Sequence, residues 1–172
     1  MTSTLITERL SLTPVDVADY DDLKSLWADP AFVQHIFPEP LTSEDVWFRL
    51  LRDIGHWEAL GHGNWTIRLK DTGEHVGSVG VLDFHRVLDP PFDAPELGWG
   101  VQPRFQGKGL AFEALSAALA WCDDALNAPR TVCMIDPTNT PSIALAGRAG
   151  YREYARADYK GAPVILFERM AA

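Results

Sequence analysis

Apolar residues recur along this chain in two rhythms, and the order of those rhythms lays out its elements. Within Glu8–Val15, Leu10 and Leu12 stand two apart, the period of a strand, and Pro14 closes the run. From Asp16 to Ala28 the spacing turns helical through Val17, Tyr20, Leu23, Leu26 and Trp27. Pro30, Pro38 and Pro40 then divide the next stretch into turns. A second helix starts at a cap on Thr42 or Ser43, with Glu44 and Asp45 in the first turn, where carboxylates meet the positive helix end. Its apolar stripe is Val46, Phe48, Leu50, Leu51, Ile54 and Trp57, and Gly61 stops it.

Asn64–Lys70 alternates as a strand, and Asp71–Gly73 turns into a second, Glu74–His85, whose glycines leave room for a bulge. A proline-rich loop leads to a strand at Glu96–Gln102. Leu110–Leu126 is the strongest helix, with Leu115, Leu119, Cys122 and Leu126 on one stripe. Thr131–Ile135 is a buried strand, Thr140-Pro141 opens a short helix that ends at Gly150, and Val164–Arg169 is the last strand. This order predicts an α+β protein built around one mostly antiparallel sheet. No repeat or long linker interrupts it, so residues 1–172 are expected to form a single domain.

Of 172 residues, 47% are hydrophobic and 23% charged, which excludes a disordered chain. The net charge of −9 argues against nucleic acid as a partner. Solubility is the simpler reason for that acidity; so far as it bears on a partner, it suits a cationic small molecule or peptide. The start MTSTLITERLSL has no basic, apolar leader, and no run approaches the ~18 apolar residues of a membrane span. A cytoplasmic protein without a membrane partner is expected. Two cysteines make no disulfide framework, and five histidines show no metal spacing, so no metal is expected.

Chemistry concentrates at Pro103-Arg104-Phe105-Gln106-Gly107-Lys108-Gly109-Leu110-Ala111, between a strand and the strongest helix. A glycine-rich loop opening a helix presents free N–H groups and partial positive charge to an anion. It is not a nucleotide P-loop, because Lys108 is followed by Gly109 and no magnesium-binding hydroxyl. Nor does Gly107–Phe112 give the spacing of a dinucleotide fingerprint.

The pattern Gln/Arg-x-x-Gly-x-Gly/Ala, present as Gln106, Gly109 and Ala111, resembles the pyrophosphate loop of the GNAT superfamily of N-acetyltransferases. Downstream, Asn139-Thr140-Pro141-Ser142, Leu145 and Gly150-Tyr151 are similar to the branch that acetylates ribosomal-protein N-termini, the RimJ/RimL-like enzymes, as is the opening Thr7-Glu8-Arg9-Leu10. The resemblance implies a splayed sheet flanked by helices and acetyl-CoA as cosubstrate. It implies that backbone groups of Trp99, Gly100 and Val101 pair with the pantetheine arm as an added strand. It also implies that the amides of Gln106, Gly107, Lys108, Gly109, Leu110, Ala111 and Phe112 hold the pyrophosphate, that Asn139 bonds the pantetheine amides, and that Ser142 serves the leaving thiolate. Many relatives carry a tyrosine acid on the last helix. This helix has none, and Tyr151 lies beyond it.

The implied reaction is direct acetyl transfer to a primary amine, either a peptide N-terminus or a small-molecule amine. That requires a base for the ammonium and a donor for the oxyanion. Glu96 is the first candidate base, set against a solvated strand-start carboxylate; Asp136 is the second, set against a turn cap before Pro137. Cys133 and Cys122 read as buried core residues. Trp27, Trp47 and Trp57 read as packing; the resemblance implies that Phe37, Trp47 and the loop Val87–Pro95 lie where an acceptor pocket forms, and His85, ending a strand, is a further candidate to reach it. Lys108 reads as charge beside a phosphate. A homodimer is compatible with such a fold. The rival from another class is a non-catalytic acyl-CoA-binding sensor or regulatory module.

Overall fold

In the computed structural model, which describes residues 3–172, eight strands form one sheet in the order β1-β2-β3-β4-β5-β6-β8-β7. The strands are β1 (Leu5–Ile6), β2 (Leu10–Pro14), β3 (Asn64–Leu69), β4 (His75–Leu82), β5 (Glu96–Val101), β6 (Arg130–Ile135), β7 (Arg152–Tyr159) and β8 (Ala162–Met170). The helices are α1 (Tyr20–Trp27), α2 (Pro30–Val33), α3 (Ser43–Leu60), α4 (Leu110–Asp124) and α5 (Thr140–Arg148). Every strand pair is antiparallel except β5–β6.

Local chemistry explains most boundaries. Thr42 caps α3 through a reciprocal box, its hydroxyl taking the Asp45 N–H at 3.2 Å while the Asp45 carboxylate takes the Thr42 N–H at 3.1 Å. Gly61 ends α3 at φ 73°, the left-handed turn that glycine adopts without strain. The irregularity expected in β4 lies in its pairing with β3, where the register slips between Ile67 and Arg68. The α3 stripe is narrower than its spacing implies: Val46 and Leu50 are buried, whereas Phe48 and Leu51 face solvent.

β4 is buried along nearly its whole length without alternation, so both of its faces are covered. The main core joins β2–β5 to α4 through Leu10, Leu12, Trp65, Val79, Leu97 and Leu115, all 2% exposed or less. Trp65 stacks edge-on against Trp57 and Trp121 at 5.0 and 5.4 Å. A smaller core, from Val15, Leu23, Val46 and Leu50, joins α1 and α3.

At Gly77 the backbone of β4 passes so close to β5 that a Cβ would stand 2.1 Å from the Gly100 carbonyl oxygen. Gly77→Ala therefore forces the two strands apart. Its expected cost, read from urea unfolding, is at least about 2 kcal/mol, within the range for overpacking a core.

Candidate active site

β5 and β6 pair as strands at a single position, Glu96 opposite Val132. The Val132 N–H closes that junction on the Pro95 carbonyl at 3.0 Å. Beyond it the strands diverge. Along Gly98, Trp99, Gly100 and Val101 one edge of β5 is paired to β4, while the other has no strand beside it. Alternate peptide groups of an extended strand point to each side, so part of this backbone faces the gap unpaired. A cavity of about 860 Å³ opens there, lined from β5 by Glu96–Gly100 and across the gap by Cys133–Asp136, Asn139 and Ser142. The Trp99 indole N–H is buried without a hydrogen-bond partner in the protein. The Phe32 ring lies close against Gly100, where a Cβ would stand 2.7 Å from it and displace the ring.

At the end of β5, Pro103–Phe105 forms one 3-10 turn anchored by buried Phe105. Gln106, Gly107, Lys108 and Gly109 are exposed, and α4 begins at Leu110. Gly107 and Gly109 take φ of 74° and 77°, a conformation that a side chain would strain. The first-turn amides of Leu110, Ala111 and Phe112 have no helical acceptors upstream. An N-terminal strap fixes the loop from outside. Glu113 accepts hydrogen bonds from the Thr7 hydroxyl, the Arg9 N–H and Arg9 Nε at 2.6–2.8 Å, and Arg9 also donates to the Lys108 carbonyl at 2.9 Å. Cations gather here despite the net charge: Arg104 and Lys108 lie over the Phe105 ring, and Arg148 over Phe112.

Asn139 caps α5, its Oδ1 accepting the Ser142 N–H at 3.3 Å. Both side chains are half-buried on the cavity, and the Ser142 hydroxyl has no hydrogen bond within the described residues. Tyr151 points elsewhere: its hydroxyl is buried against Thr131 at 2.8 Å, and burial drives its pKa far up. It is not poised as an acid.

Glu96 is not a solvated carboxylate. It is 5% exposed, sits at the junction itself, and accepts Arg86 Nε at 2.6 Å. Arg86 in turn donates to the Tyr159 hydroxyl at 2.9 Å. Burial pushes the Glu96 carboxyl above the ordinary range against the opposing pull of Arg86. Asp136 is a turn cap, accepting from the Thr138 N–H and hydroxyl at 2.7 Å each, which lowers its pKa. Cys133 lines the cavity, yet burial raises its thiol well above the usual value; Cys122 is pushed up to about 12. Neither is an activated nucleophile.

Of the acceptor-pocket regions read from sequence, Phe37 lines the cavity, but Trp47, His85 and Val87–Pro95 do not. Trp47 packs on Tyr20 at 5.3 Å, and His85 projects into solvent with its side chain 91% exposed. Arg86, at the edge of that loop, reaches inward instead. Arg49, Arg86 and Tyr159 were not legible as site residues, because they are separate in sequence and meet only through α3, the β4–β5 loop and β7.

The family model for the GNAT acetyltransferase domain matches residues 9–152. The chain belongs to the GNAT acetyltransferase family. Among its relatives, the uncharacterized N-acetyltransferase p20 of Bacillus licheniformis is 28% identical over 95% of this chain and 94% of its own length. The ribosomal protein uS5-alanine N-acetyltransferase of Escherichia coli K12 is 36% identical over 47% of this chain and 42% of its own. A GNAT-family acetyltransferase structure from Bordetella pertussis is 34% identical, covers 97% of this chain and 99% of its own, and superposes with a TM-score of 0.85. A structure of RimL, the ribosomal L7/L12 N-acetyltransferase, in complex with coenzyme A, covers 96% of both chains at a TM-score of 0.79 and 18% identity, a likeness of fold. The GNAT-like splayed sheet expected from sequence is therefore the fold, and the family assigns acyl transfer. Among the described residues no cluster suits a metal ion, and no helix is long and apolar enough to cross a membrane.

Proposed function

We propose that this GNAT protein binds acetyl-CoA as cosubstrate and transfers the acetyl group directly to a primary amine, a peptide N-terminus or a small-molecule amine. The observation that carries this is the unpaired edge of β5, opening from the Glu96–Val132 junction and running into a glycine-rich helix start ringed by cations. An extended arm with amide groups would complete that edge as a strand. The amides from Gln106 to Phe112 suit a pyrophosphate, and the neighbouring Arg104, Lys108 and Arg148 add charge. The free side-chain N–H₂ of Asn139 suits an amide carbonyl of the arm.

Glu96 removes the proton from the acceptor ammonium, directly or through one water, leaving a neutral amine to attack the thioester carbon. As the new C–N bond forms, a β5 backbone N–H donates to the developing oxyanion. As the C–S bond breaks, the tetrahedral nitrogen gives up its second proton, and the Ser142 hydroxyl, hydrogen-bonded to the thiolate, relays that proton to the sulfur, leaving the amide and the CoA thiol. No covalent intermediate on the protein is needed. Relatives named for acetylating ribosomal proteins support a protein N-terminus as one acceptor form.

The deciding experiment follows free thiol released from acetyl-CoA with a panel of primary amines; a sensor would bind acetyl-CoA and release none. Ser142→Ala is expected to lower kcat at least about tenfold with the KM for acetyl-CoA within about threefold, the pattern for a group acting mainly in the transition state. An unchanged kcat removes the hydroxyl from the mechanism.

The pH profile tests Glu96. Because a base must be ionised, its raised pKa places the acid limb of kcat/KM above the ordinary carboxylate range. Arg86 holds that pKa down, so Arg86→Gln is expected to move the limb to still higher pH with the same amine. A limb that stays in place assigns proton removal to another group.

A further inference from the structure

The charged side chains that line the cavity have a net sign opposite to that of the whole chain. Four cationic side chains reach the cavity, Arg49, Arg52, Arg86 and Lys160, against three carboxylates, Asp53, Glu96 and Asp136. Each carboxylate is already committed. Asp53 accepts Arg52 at 2.6 and 2.9 Å through one oxygen and the Asn64 amide at 3.0 Å through the other. Glu96 holds Arg86, and Asp136 closes its own turn. Lys160 stands exposed at the β7–β8 turn.

Arg49 is left over. It projects from α3, half-buried, with its guanidinium 4.4 Å from the Trp27 ring centre and 5.4 Å from that of Phe37. Those two rings meet edge-on at 5.8 Å. Among the described residues it has neither a carboxylate within ion-pair distance nor a side-chain hydrogen bond. Burial, reinforced by Arg52 and Arg86 and partly offset by Asp53, brings its pKa down to about 10, so it stays charged at neutral pH. A half-buried guanidinium on a cavity wall, held over two aromatic rings and without a protein acceptor, matches a planar carboxylate, which arginine binds through two parallel hydrogen bonds.

We infer that the acceptor is a small amino carboxylate whose carboxylate sits on Arg49 while its amine faces Glu96. This rests on the transfer reading above and narrows it. It also reverses the expectation from net charge, since a cationic acceptor would meet an unneutralised cation in a half-buried pocket. The Trp27, Phe32 and Phe37 rings beside Arg49 leave an apolar wall for the rest of the molecule.

The test measures thiol release from acetyl-CoA with L-α-amino acids, their carboxamides and the matching decarboxylated amines. Amino acids are expected to exceed both neutralised series by about 100-fold or more in kcat/KM. Arg49→Gln is expected to reduce that preference below about tenfold, with the KM for acetyl-CoA within about twofold as proof of an intact fold, and Arg49→Lys to restore part of it. Carboxamides or simple amines used as well as amino acids would overturn the inference, as would turnover confined to peptides or a preference that survives Arg49→Gln.

If no amine of any series releases thiol, the transfer reading falls. The carboxylate site is then judged separately by tryptophan fluorescence, with Trp27 as reporter, on titrating N-acetyl-L-amino acids in the presence of CoA. Saturable binding by the unaltered protein, absent for the N-acetyl carboxamides and lost in Arg49→Gln, supports the site. No binding, or equal binding of the carboxamides, overturns it.

Discussion

A single pairing between two parallel strands, Glu96 against Val132, governs how this protein makes room for a substrate. On one side of it β5 is stitched to β4 along its full length; on the other, β6 is stitched to β8. Each half of the sheet is thus rigid, and the edge left open between them holds its shape because both walls are held from behind. The same junction buries Glu96 to 5% exposure, with Arg86 beside it. Geometry that opens the cleft and burial that raises a carboxyl pKa have a common origin there.

Charge is partitioned along that cleft. The chain carries an excess of acid, yet cations gather in two places: Lys108 and Arg148 around the start of α4, and Arg49, Arg52 and Arg86 on the cavity wall. Net charge acts over distances where salt screens it, whereas a half-buried guanidinium acts on the atom that touches it. The acidic surface is consistent with solubility, and the proposed acceptor is matched to the local cations instead.

Much of the fold was legible in the chain because α3, α4, β3 and β5 each carry their own period and their own stops. Thr42, Gly61 and Asn139 stand where local backbone chemistry requires them. Two short or polar strands were not legible. β7, Arg-Glu-Tyr-Ala-Arg-Ala-Asp-Tyr, is an edge strand with no fully buried residue, so it lacks an apolar signal and exists through its pairing with β8. β1 is two residues long and is defined only by β2. The glycine-rich loop could be read locally, whereas Asn139 and Ser142, three residues apart at the start of one helix, were singled out by the family resemblance. The partnership of Arg86 with Glu96 and Tyr159 could not, since it spans 73 residues and no spacing rule connects its members. Nor could the strap from Thr7 and Arg9 to Glu113 and Lys108, which links the beginning of the chain to the loop over about 100 residues of sequence.

The claim that the open edge of β5 receives an acyl-CoA arm as an added strand is tested most directly by amide hydrogen exchange with and without CoA. Saturating CoA is expected to slow exchange of amides within Gly98–Val101 by about tenfold or more, together with the first-turn amides of α4, while amides of β2 and β3 change little. CoA that binds, shown by calorimetry, and protects the α4 start but leaves Gly98–Val101 unchanged would contradict the account, because the gap beside β5 would then not be where the arm lies.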